Sequence, residues 1–140
     1  MAIPFPRALH TVLDTTDARG LAEFYRELLA LQYRPGDEPP ADESDEPDEA
    51  GWLVLLDDHA RRVLAFQQVD DLPRSTWPSA GVPMQAHVDF TVPDRTALDH
   101  HHERALALGA TLLLDRTDDP AEPLYVYADP AGHPFCLLVG

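Results

Sequence analysis

Short apolar runs with strand character give way twice along this chain to a stretch with helical spacing, and the order of the two repeats. Residues 8–14 are short and apolar, as a buried strand is, and Asp17 then stands where a helix N-cap is wanted, ahead of Leu21, Phe24, Leu28 and Leu31. A short strand at 32–34 follows, then β-rich runs at 52–56 and 62–69 joined by the turn Asp57-Asp-His-Ala60. The second half gives a strand at 85–92, a helix from the cap Asp94 to Leu108 closed by Gly109, and strands at 111–114, 124–128 and 134–139. The last two flank the turn Asp129-Pro-Ala-Gly132. Each half therefore reads βαβββ. The predicted class is α+β, with two tandem βαβββ modules forming a curved eight-stranded sheet around a concave pocket.

The two halves also share residues. Laid over each other at an offset of 77, residues 10–31 and 87–108 match at His10/His87, Asp17/Asp94, Leu21/Leu98, Leu29/Leu106, Ala30/Ala107 and Leu31/Leu108. Leucine and alanine matches arise easily by chance; a histidine and an aspartate in the same register do not. A duplication explains both, and it brings two imidazoles toward a common axis. The expected organisation is one domain over residues 1–140. Module one covers 8–69, a linker marked by Pro73, Pro78, Gly81 and Pro83 covers 70–83, and module two covers 84–140.

Composition narrows the function. The chain has 140 residues, 44% of them hydrophobic, enough for one domain with a core. No apolar run approaches the roughly 18 residues that span a bilayer, and the first residues lack a signal-peptide core, so a cytoplasmic protein is expected. A single cysteine, Cys136, agrees with a reducing compartment. All ten basic residues are arginine, which removes lysine Schiff-base and P-loop chemistry. The net charge of −15 argues against nucleic acid and anionic membrane as partners. Eight of the 25 acids fall within residues 35–51, a proline-rich stretch with no base, which reads as a mobile loop serving solubility or as a rim near a pocket.

The paired His-x6-Asp openings, Phe24-Tyr25, Leu64-Ala-Phe-Gln67, Trp77-Pro78, Leu108-Gly-Ala110 and the ending Asp129-Pro-Ala-Gly-His-Pro-Phe-Cys-Leu137 carry a resemblance. Together they resemble the vicinal oxygen chelate superfamily, in its branch of glyoxalase-like domains, bleomycin-resistance proteins and dioxygenases. The resemblance covers nearly the whole chain except the acidic loop. It implies four metal ligands, two histidines and two carboxylates, from the first and last strands of each module. By position these are His10, Gln67, His87 and Cys136. Both histidines are present, but Gln67 cannot serve as a proton-accepting base, and Cys136 stands where the pattern has an acid. The cofactor expected with such a site is a divalent metal, zinc, iron, manganese or nickel, and a Cys/His/His set suits zinc or another soft-tolerant ion better than magnesium. Glyoxalase I activity itself is not expected.

Other side chains carry competing readings. Cys136 is a buried small hydrophobe or a thiolate catalyst, and Asp89 orients His87, acts as acid or base, or forms a polar wall. Trp52, Phe66, Trp77 and Tyr125 are core residues or, with Asp89, a ligand platform. His100, His101 and His102 read as a solvated helix face and His133 as a surface residue. Three functions stay open: a small-molecule-binding protein without the usual metal site, including a drug-sequestering resistance type; a divalent-metal-dependent lyase, isomerase or dioxygenase; and a module with a vestigial pocket. The resemblance implies a homodimer, in keeping with a sheet edge and a concave face to cover in each half.

Overall fold

The computed structural model describes residues 2–140. Element order follows the pattern closely: β1 Thr11–Thr15, α1 Ala18–Leu29, β2 Gln32–Tyr33, β3 Trp52–Leu56 and β4 Arg62–Gln68. Module two supplies β5 Val88–Val92, α2 Arg95–Leu108, β6 Thr111–Asp115, β7 Leu124–Ala128 and β8 Pro134–Val139. The eight strands form two four-stranded sheets, ordered β1-β4-β3-β2 and β5-β8-β7-β6. Among the described residues no hydrogen-bonded ladder joins them, so the curved surface is built from two sheets whose first strands, β1 and β5, are both edges. In each sheet the first strand runs parallel to the last and the remaining pairs are antiparallel.

Both helices begin where the sequence places a cap. The Asp17 carboxylate accepts the Gly20 N–H at 3.0 Å, and that of Asp94 accepts the Ala97 N–H at 2.8 Å, each satisfying an otherwise orphaned donor. Gly20 leaves room for this cap, because a Cβ at that position would displace the Asp17 carboxylate. Helix α2 ends at Gly109 in the left-handed region (φ 114°), whereas α1 ends at Ala30 in the same conformation (φ 55°).

One core serves both modules. Alternation along the strands sends Leu13, Leu53, Leu64 and Phe66 of the first sheet, with Tyr127, Phe135 and Leu137 of the second, toward the helices. They meet Leu21, Phe24, Tyr25 and Leu28 of α1, and the rings of Phe24, Tyr25, Phe66, Phe90 and Phe135 pack with centroids 4.9–6.1 Å apart. Polar ties reinforce the joint. The buried Tyr25 hydroxyl donates to Asp129 at 2.6 Å, and Arg104 of α2 donates to the Glu27 and Leu28 carbonyls at the end of α1, at 2.6 and 3.2 Å. Arg74 donates to the Pro130 carbonyl at 2.8 Å.

Two expectations need correction. His102 is not on a solvated face: its ring stacks on Tyr125 at 3.9 Å between centroids and its Nδ1 lies 2.7 Å from the Tyr127 hydroxyl. The reason is that α2 packs against its own sheet with the side carrying Leu98, His102 and Ala105, so consecutive histidines diverge and one turns inward. The acidic segment, read as a mobile loop, is anchored to the body of the fold. Arg19 of α1 binds Asp48 at 2.6 Å and the Asp37 carbonyl at 2.7 Å, while the Asp37 side chain accepts the Val54 N–H, so the segment is tied at both ends.

Candidate functional site

The face of the sheets opposite the helices opens into a cleft of about 920 Å³. Strand registers set its floor. Trp52, Gln67 and Asp14 lie side by side across β3, β4 and β1 and share that face, while the next row toward the helices is Leu53, Phe66 and Leu13. In the second sheet Val126, Cys136 and Asp89 form a row across β7, β8 and β5. The linker closes one side with Leu72, Pro73, Ser75, Val82, Pro83 and Met84.

Among the described residues one group of three potential metal-binding side chains gathers: His87, Asp89 and Cys136, whose donor atoms lie within 4.8 Å of one another. His87 Nε2 is 3.2 Å from the Asp89 carboxylate. Burial and the neighbouring Asp89 push the Cys136 thiol up to about 12, so at neutral pH the sulfur is protonated and inert as a nucleophile.

His10 lies apart from this group. Its ring tilts against Trp52 at 5.9 Å, with Arg62 and Arg34 nearby, and its Nδ1 is shielded without a hydrogen-bond partner. Burial, followed by those two guanidinium groups, lowers its pKa. His133 lies closer to the site than the sequence suggests. It lines the cleft and its Nε2 sits 2.6 Å from the Asp14 carbonyl, which can only accept, so that nitrogen carries the proton.

The glyoxalase-like domain family model matches residues 10–138, in the order of elements just described. The chain belongs to the glyoxalase-like domain family. No curated protein matches it. Solved structures share its fold at low identity. A fosfomycin resistance protein, FosX, from Listeria monocytogenes is similar at 16% identity, covering 98% of this chain and 95% of that one, with a TM-score of 0.67. A glyoxalase/bleomycin resistance protein/dioxygenase family enzyme from Burkholderia phytofirmans is similar at 16% identity, over 94% and 96%, with a TM-score of 0.66. A possible glyoxalase from Bacillus cereus is similar at 13%, over 93% and 96%, with a TM-score of 0.63.

Internal symmetry shows how the site of this glyoxalase-like chain departs from a two-module metal centre. The 77-residue offset that maps His10 onto His87 maps Val12 onto Asp89. Val12 pairs with Ala65 in β4, as Asp89 pairs with Cys136 in β8. The module-one counterparts of Asp89 and Cys136 are thus a valine and an alanine, neither of which can ligate. Gln67 lies two residues beyond Ala65, in the row of Asp14 and Trp52. The donor set does not fit a metal held equally by both modules.

The proposed ligand platform is likewise divided. Trp52 and Asp89 line the cleft. Phe66 and Tyr125 do not: each follows or precedes a cleft-facing residue by one position, so alternation turns Phe66 into the core against Tyr25 and Tyr125 against His102. Trp77 covers the patch of Leu124, Val126 and Cys136 beside the cleft. The signal for His133 is its place at the strand entry directly after the Gly132 turn, a position read from sequence as surface.

Proposed function

We propose that this glyoxalase-like chain binds a small organic molecule in the cleft between its sheets, without the two-histidine, two-carboxylate metal site that spans both modules. The loss of ligating side chains at Val12 and Ala65, opposite the retained Asp89 and Cys136, carries this reading. The cleft volume suits a ligand of drug or metabolite size, and its wall mixes the Trp52 indole with a few polar groups, as such sites do. Similarity to proteins named for resistance to fosfomycin or bleomycin supports a sequestering role as one form of it.

A thermal-shift screen of tag-free protein is the direct test. Hits should raise the melting temperature and lose their effect in Trp52→Ala and His87→Ala, because only a ligand that prefers the folded chain stabilises it. A screen with no hit, or hits indifferent to both variants, overturns the reading.

A second reading rests on the closeness of His87, Asp89 and Cys136. A divalent ion held by module two alone would serve a lyase, isomerase or dioxygenase, provided it displaces the Cys136 proton. Elemental analysis after reconstitution with zinc, iron, manganese or nickel separates the two readings: near-stoichiometric metal lost in His87→Ala favours this one. We also propose a cytoplasmic homodimer. The exposure of Ile3, Phe5 and Leu9, together with the open sheet edges, supports association, and light scattering during gel filtration tests it.

A further inference from the structure

Resting on the reading of the cleft as a small-molecule site, we propose that it selects organic cations, an ammonium group carried on an aromatic body, and rejects anions. Two carboxylates line it, Asp14 from module one and Asp89 from module two. No arginine is among its lining residues, and the chain has no lysine. Arg34 and Arg62 stand beside His10, outside the lining, and Arg34 is paired with Asp37 at 3.1 Å. A low-dielectric concave wall of one sign concentrates ligands of the other sign.

The two imidazoles of the lining already direct Nε2 at protein acceptors. His133 gives its Nε2 proton to the Asp14 carbonyl, and His87 turns Nε2 toward Asp89 at 3.2 Å. The row Asp14, Gln67, Trp52 crosses three adjacent strands, so the backbones that carry the carboxylate and the indole stand about 10 Å apart, two strand spacings. Trp52 remains 39% exposed and lines the cleft. A carboxylate at one end and an indole at the other, with the Gln67 amide between, match an arylammonium ion by charge attraction at the carboxylate and by stacking of its ring on the indole. Gly132 and His133 bound the same space on the β7–β8 side.

The test is calorimetric titration of tag-free, chelator-treated protein with three probes of similar shape: benzyltrimethylammonium, benzyl alcohol and benzylphosphonate. The expected result is a dissociation constant at least ten-fold lower for the ammonium than for the alcohol, and no heat from the phosphonate. Asp14→Asn with Asp89→Asn should abolish the preference. Asp42→Asn with Asp45→Asn, which removes the same formal charge from the acidic loop, should leave it, and near-UV circular dichroism checks that both double variants fold. Equal losses in the two double variants assign the preference to overall charge and overturn the proposal. So does binding of the alcohol or phosphonate as tightly as the ammonium, although the broader small-molecule reading then stands. Silence from all three probes also overturns it, and the broader reading is then decided separately by the thermal-shift screen.

Discussion

Tyr25→Phe removes one oxygen from the joint between the modules and leaves everything apolar in place. Tyr25 and Asp129 are each 1% exposed, and the hydroxyl donates to Asp129 Oδ2 at 2.6 Å. Asp129 Oδ1 keeps the N–H groups of Ala131 and His133, at 2.9 and 3.0 Å, so only Oδ2 is orphaned. An unsatisfied buried acceptor of this kind costs about 2 kcal/mol. With a urea m-value of about 2 kcal/mol per molar for a domain of this size, the unfolding midpoint should fall by roughly 1 M, followed by far-UV circular dichroism. The pH dependence gives a sharper check. Burial raises the Asp129 pKa above its ordinary value, while the Tyr25 hydrogen bond opposes that rise. A carboxyl raised on folding binds its proton more tightly in the native state, so its cost is relieved as pH falls through the raised value and is gone below the unfolded one. The deficit of Tyr25→Phe should therefore shrink on acidification from pH 7. A midpoint unchanged within error, or a deficit that grows in acid, refutes the argument that Tyr25 supports a charged Asp129.

Three further outcomes are expected. Cys136, with its thiol raised to about 12, should resist a disulfide reagent at pH 8 in the native state and react on unfolding; Asp89→Asn, which removes a neighbouring negative charge, should speed the native reaction. His10, lowered by burial and then by Arg62 and Arg34, should titrate below the usual histidine range by NMR, and Arg62→Gln should move its midpoint upward. Because its folded pKa is depressed, any stability His10 contributes is present above about pH 6.5 and lost as pH falls through the depressed value. Gly132→Ala should lower the melting temperature, since φ is +95° there and a Cβ would lie 3.0 Å from the Arg74 side chain; the strain is about 1–2 kcal/mol. A change below 0.5 kcal/mol in chemical denaturation would show that the turn relaxes freely.

Element boundaries were legible because hydrophobic period and caps are local. Asp17 and Asp94 do cap the helices, and the turn Asp129 to Gly132 does join the last two strands. Register was not legible, because it depends on which residue of one strand sits opposite which of another. The loops of the two modules differ in length, so a sequence offset exact for β1 and β5 fails for β4 and β8, and the resemblance points to Gln67 where the register makes Ala65 the counterpart of Cys136. The face of a single aromatic was hidden for a related reason. In fully buried runs such as Leu64-Ala-Phe66 and Leu124-Tyr-Val-Tyr127 every position is apolar, and alternation shows only once the helices are in place. His102 was lost among three histidines in a row, where only packing distinguishes them.

The turn from Asp129 to His133 receives Tyr25 from α1, Arg74 from the linker and the Asp14 carbonyl of β1. It also walls the cleft, through Ala131, Gly132 and His133. Five residues are thus both hinge plate and doorpost: a guest pressing on the doorpost stiffens the hinge. Occupancy should consequently register in amide exchange at this turn and at the start of β1, even where the guest touches only one module.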